Sequence, residues 1–247
     1  LEAAIESYKQ ALKIKPDYAQ AYNNMGNALK DKGDLDAAII SYKQALKIKP
    51  DYAQAYSNMG NALKSQGDVE AAIDSFKQAL KIKPDYAQAF NNMGNALYDK
   101  GDLEAAINSY KKALKIKPDY FQAYNNIGIA LKDKGDLEAA IDIYKQVLKI
   151  KPDYAEVYRN LSTIHRYKEH DEYFLKMQSL YQSASVSDEQ RCHLNFALSK
   201  ASEDLNEVSQ SFNYLIIGNE LRKKILSYDI KKDIELFSQL KKSYPSI

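Results

Sequence analysis

The chain is short of cysteine, of long apolar runs and of any dominant charge. Cys192 is the single cysteine in 247 residues, so no intramolecular disulfide framework holds the fold, and a reducing, cytoplasmic setting is expected. No hydrophobic run approaches the length of a membrane span or a signal-peptide core. With 35 basic against 33 acidic side chains, no net field exists to draw in nucleic acid or an anionic membrane. Gly-rich phosphate loops, a GxSxG elbow and an HExxH pair are all missing, so neither catalysis nor a cofactor is expected. What remains is 45% hydrophobic residues, enough for a sizeable core.

Proline and glycine are few but regularly placed. Pro16, Pro50, Pro84, Pro118 and Pro152 each stand thirty-four residues from the next. Glycine keeps the same period in two series, Gly26, Gly60, Gly94, Gly128 and Gly33, Gly67, Gly101, Gly135. A period shared by both punctuating residues sets the architecture of the segment that carries it.

Within residues 19–52, Tyr22, Met25 and Leu29, and then Leu35, Ala38, Ile39, Tyr42 and Leu46, recur at helical spacing, which predicts two amphipathic helices. Gly33 ends the first in a left-handed turn and Asp34 caps the second. Pro50 stops the second helix, and Asp51 to Gln54 reads as a capping-box variant opening the next hairpin. Gly26, Ala28, Ala38 and Ala45 leave little bulk where helices approach closely.

The order Tyr22, Met25-Gly26, Leu29, Ala38, Tyr42, Ala45, Pro50 resembles the tetratricopeptide-repeat (TPR) consensus, and it recurs over Tyr56 to Pro84, Phe90 to Pro118 and Tyr124 to Pro152. The resemblance implies an all-α fold, a right-handed superhelical solenoid of helical hairpins whose first helices line a peptide-binding groove. Four regular repeats are expected (19–52, 53–86, 87–120 and 121–154), preceded by residues 1–18 as the second helix of a truncated repeat. Its uncovered apolar face is a candidate surface for self-association. A divergent repeat (155–182), a divergent hairpin (188–226) with Asn206 in the place of the turn glycine, and a capping helix (229–247) using Ile230, Ile234, Phe237 and Leu240 are expected to follow. The segment Leu194 to Ala201, with Phe212, Gly218-Asn219, Lys223-Lys224, Tyr228-Asp229 and Phe237, resembles the region preceding the catalytic domain of bacterial TPR-containing sulfotransferases. That resemblance implies a substrate-recognition fragment without catalytic residues of its own.

The sharpest candidate site is a series of amides: Asn24, Asn58, Asn92, Asn126 and Asn160, one per repeat, with Asn27, Asn61 and Asn95 three residues on. Helical spacing puts each pair on one face. Two readings stay open: a ladder that donates to and accepts from the backbone of an extended peptide, or amides that join neighbouring helices. The series is similar to the asparagine ladder of O-GlcNAc transferase repeats. Asn23, Ser57, Asn91 and Asn125, and Lys30, Lys64, Tyr98 and Lys132, are further groove candidates, while Gln20, Gln54, Gln88 and Gln122 suit a capping role. Chaperone-binding TPR domains carry a carboxylate clamp of basic residues, and this chain has Asn, Ser or Gln at those places, so capture of an acidic tail is not expected. His165, Glu169, His170 and Asp171 have the wrong spacing for one helical face and predict no metal site. Cys192 reads as a buried structural thiol. The expected partner is a protein or peptide.

Overall fold

The structure, a computed structural model, describes residues 1–243; the last four residues of the expected capping segment and the Leu240 side chain lie outside the described residues. Every regular element among the described residues is helical. The chain divides into two compact units, Leu1–Ile143 and Tyr144–Ile247.

The first unit holds α1 (Glu2–Ile14), α2 (Ala19–Lys32), α3 (Leu35–Ile48), α4 (Ala53–Gln66), α5 (Val69–Ile82), α6 (Ala87–Asp99), α7 (Leu103–Ile116), α8 (Phe121–Lys134) and the start of α9 (Leu137–Ile150). Helices α2 and α3, α4 and α5, and α6 and α7 pair as hairpins, and each second helix packs on the first helix of the next hairpin. The turn inside a hairpin follows from two residues. Gly33 adopts φ 92 and its N–H donates to the Lys30 carbonyl at 2.9 Å, and the Asp34 carboxylate then accepts from the Ala37 N–H at 3.1 Å. The same aspartate cap recurs at Asp68, Asp102 and Asp136. Asp102→Ala is therefore expected to cost about 1 kcal/mol, read as a lower urea midpoint; an unchanged midpoint would remove the cap from the account.

The core is built from small residues against rings. Ala38, Ile39 and Tyr42 of α3 pack with Ala62 of α4, and Ala72, Ile73 and Phe76 of α5 with Ala96 of α6. A Cβ added at Gly60 would lie 2.8 Å from the Phe76 ring, and one at Gly94 would fall closer still to the Tyr110 ring, so these glycines exist to let first and second helices touch. The capping-box reading of the first helices gives way to another arrangement. Tyr18, Tyr52 and Tyr86 occupy the N-cap positions and make no side-chain cap bond. Gln20 instead donates to Asn24 Oδ1 at 2.9 Å and accepts the hydroxyl of Tyr52, the residue that opens α4. Each of these tyrosines also lies under a lysine three residues earlier, as with Lys49 Nζ 5.1 Å from the Tyr52 ring centroid.

The second unit contains the end of α9, then α10 (Ala155–Ser162), α11 (Glu172–Gln182), α12 (Asp188–Asp204), α13 (Val208–Ile225) and α14 (Ile230–Ser243). Tyr158, Tyr167, Phe174, Met177, Leu194 and Leu198 form its buried interior. Ser187 and Gln190 make a reciprocal capping box at the start of α12. Asn206 takes φ 61 in the turn to α13, the left-handed conformation that asparagine tolerates better than other side chains. The expected capping face of α14 is not buried: Ile230, Ile234 and Phe237 are exposed, Phe237 at 69%. Val208 and Phe212 of α13 are exposed as well.

Candidate functional site

In the first unit, α2 also approaches α4 directly, α4 approaches α6, and α6 approaches α8. First helices thus lie side by side on one face of this unit, the inner face, while the second helices form the opposite layer. The asparagines sit on these first helices, and their hydrogen bonds sort them by task.

Asn23, Asn91 and Asn125 are 0%, 6% and 3% exposed, which corrects their expected contact with a ligand. Their helix position points at the neighbouring first helix, not at the open face. Asn23 accepts from Asn58 Nδ2 of the next repeat at 3.0 Å, and Asn91 accepts from Asn126 Nδ2 at 3.1 Å. Burial without a partner costs an amide more than a hydrogen bond returns, so these pairs bind adjacent hairpins. Asn58 and Asn126 are half-buried donors to that link, and Asn126 also donates to Asn95 Oδ1 at 3.0 Å. Asn27 accepts the Tyr42 hydroxyl at 2.8 Å, and Asn95 accepts the Tyr110 hydroxyl at 2.9 Å. Asn24 accepts from Gln20 and from Asn23. Asn160 belongs to the second unit, on α10, where its backbone carbonyl accepts the Thr163 hydroxyl at 2.6 Å.

Two rungs differ. Counting back thirty-five residues from Asn92, where Asn58 and Asn126 find an asparagine, gives Ser57; counting on fifteen from Asn61, where Asn27 and Asn95 find a tyrosine, gives Phe76. A shorter side chain and a ring without a hydroxyl stand where the amide partners would be. The side-chain amides of Asn61 and Asn92 make no hydrogen bond with another described residue, and both residues are only half-buried. The repeat period alone does not reveal this; the signal is the pair of departures, Ser57 and Phe76.

One helical turn beyond these amides lies a cavity of about 250 Å3, lined by Lys64, Asn95, Tyr98, Asp99, Tyr110, Asn126 and Ile129. Tyr98 takes the place of Lys30, Lys64 and Lys132, and Ile129 the place of Asn27, Asn61 and Asn95. Lys64 Nζ lies 3.0 Å from Asp99 Oδ2, and the Tyr98 hydroxyl donates to Asp133. That hydrogen bond, with burial, pushes the phenol up to about 12, so it remains a donor throughout the neutral range.

A model of the TPR repeat matches residues 1–33, 26–67, 60–101, 94–135 and 130–165. The chain belongs to the tetratricopeptide-repeat family. Solved structures agree on the fold. PilF of Pseudomonas aeruginosa superposes with a TM-score of 0.63 at 19% identity, over 93% of each chain. YrrB, described as a TPR protein with an unusual peptide-binding site, gives 0.57 at 22% identity, over 85% of this chain and 97% of its own. MamA gives 0.53 at 22%, over 83% and 98%. Among curated proteins, none matches.

The other chemistry-bearing groups of this TPR chain are engaged in packing. His165 Nε2 pairs with Asp171 Oδ2 at 3.0 Å and His170 Nε2 with Glu207 Oε1 at 2.6 Å, and no metal-binding cluster occurs among the described residues. Burial pushes the Cys192 thiol up, away from the reactive thiolate. No helix among the described residues is long and apolar enough to cross a membrane.

Proposed function

We propose that the chain is an interaction scaffold whose first unit holds an extended peptide segment of a partner protein along the inner face of α2, α4, α6 and α8. The observation that carries this reading is the pair of unspent amides at Asn61 and Asn92, half-open to solvent in the middle of a ladder whose other members are bonded within the protein. A side-chain amide can donate to a peptide carbonyl and accept from a peptide N–H at once, which suits backbone capture with little dependence on sequence. A peptide-binding site in YrrB, a protein of the same fold, supports the assignment. The reading needs no cofactor and no reacting group. Self-pairing through α1 is a separate proposal. So is the place of residues 194–237 before a sulfotransferase domain, to which no match adds support.

The test is selection of twelve-residue peptides from a random library on the 247-residue chain, followed by anisotropy titration of the best binder. Loss of two hydrogen bonds at about 0.5 to 1.5 kcal/mol each predicts that Asn61→Ala/Asn92→Ala weakens binding by roughly 5- to 150-fold with an unchanged melting temperature. Equal affinity for both proteins would refute it.

A further inference from the structure

Two free amides are too few to hold a peptide. Association costs at least about 4 kcal/mol, more than two net hydrogen bonds return, so a ligand on this face needs an anchor besides its backbone. The cavity beside Asn61 and Asn92 has the size and chemistry of one. At about 250 Å3 it is smaller than the roughly 300 to 1,000 Å3 of sites that take whole small molecules, and of the scale of one side chain.

Its charged groups and its phenols are committed, and each lining amide is bonded at one end, leaving Asn95 Nδ2 and Asn126 Oδ1. Asn95 Oδ1 accepts from both Tyr110 and Asn126, Asn126 Nδ2 donates to Asn91 and Asn95, and the Tyr98 hydroxyl is held by Asp133. Lys64 is neutralised by Asp99 at 3.0 Å, as Lys30 is by Asp31 at 3.0 Å. A charged side chain entering here would lose water and find its counter-charges taken. The apolar surface of the cavity comes from the Tyr98 and Tyr110 rings and the Ile129 side chain, and Tyr98 and Ile129 are the two places where its lining abandons the polar residues of the other repeats. We infer that this cavity is a specificity pocket that receives one apolar side chain, of leucine to phenylalanine size, from a peptide whose flanking backbone is bonded by Asn61 and Asn92. The inference rests on the peptide-holding reading and adds to it the class of segment selected: uncharged at the anchor and apolar there.

The experiment restores the repeat pattern. Tyr98→Lys and Ile129→Asn introduce the residues that stand at the same positions in neighbouring repeats, so the double variant is compatible with the fold, and its melting curve is recorded as a control. Twelve-residue peptides selected on the wild-type chain are expected to share one leucine, isoleucine, phenylalanine or tyrosine. Replacing that residue by alanine should weaken binding to the wild type by about 10- to 100-fold and to the double variant by less than about threefold. Selected peptides with a charged anchor or none, or an alanine penalty equal in both proteins, overturn the pocket. If those same peptides still lose affinity for Asn61→Ala/Asn92→Ala, the scaffold reading stands without it. A wild-type chain that enriches no peptide sinks both.

Discussion

Gly94→Leu is expected to destabilise the protein by about 3 kcal/mol, at the upper end of overpacking penalties, while Lys111→Leu changes stability by less than about 0.5 kcal/mol, as exposed substitutions do. Gly94 is buried on α6 against the Tyr110 ring. Even a methyl group there would overlap the ring, and leucine adds three more carbons. Displacing the ring would cost its packing and its bond, because Tyr110 is 2% exposed and its hydroxyl is tied to Asn95 at 2.9 Å. Lys111, the next residue, is exposed on the outer layer. Urea denaturation of the two variants makes the comparison, and similar midpoints would show that first and second helices can separate without loss. Because Tyr110 supports Asn95 from below, Gly94→Leu should also impair peptide capture at temperatures where it remains folded.

Ser57→Asn/Phe76→Tyr is expected to have the opposite sign on stability. The amide introduced at position 57 would stand where Asn23 and Asn91 accept from the next repeat, and a hydroxyl at position 76 would reach Asn61 as those of Tyr42 and Tyr110 reach Asn27 and Asn95. The Phe76 ring already occupies the same place against Gly60 that Tyr42 and Tyr110 occupy against Gly26 and Gly94, so a phenol fits without repacking. Two added hydrogen bonds predict a gain of about 1 to 3 kcal/mol. The same bonds consume the free amides, so affinity for selected peptides should fall. Greater stability together with undiminished binding would place the ligand contacts elsewhere.

The hairpins are legible from Gly33 and Pro50 and their thirty-four-residue images, because backbone punctuation acts locally. The asparagine series is legible as a pattern, but its tasks are not. Whether an amide is spent depends on a residue fifteen or thirty-five positions away, in the other helix or the next repeat, and a helical wheel drawn on one repeat omits both. Asn23 and Asn91 read as groove residues for that reason, although the neighbouring helix covers them. Gln20 reads as a cap because its position fits one, whereas its partners, Asn24 and Tyr52, lie one turn and one repeat away. The end of the chain misleads in a different way. The period of Ile230, Ile234 and Phe237 specifies an amphipathic helix, and periodicity says nothing about what such a face meets.

The amide links between first helices join each hairpin only to its immediate neighbour, which makes the first unit a linear chain of couplings. One coupling lacks its interior rung: across the joint between residues 53–86 and 87–120, Ser57 leaves Asn92 unattached, and what joins the hairpins is the packing of Ala72, Ile73 and Phe76 on Ala96 with the exposed Lys64–Asp99 and Lys100–Glu70 ion pairs. Exposed ion pairs contribute little, so this joint rests on its apolar contacts, without the amide link that Asn23 and Asn91 supply to the joints on either side. A peptide bonded to Asn61 on one side of the joint and Asn92 on the other would act as a splint, supplying across it the polar link that the protein's own side chains omit.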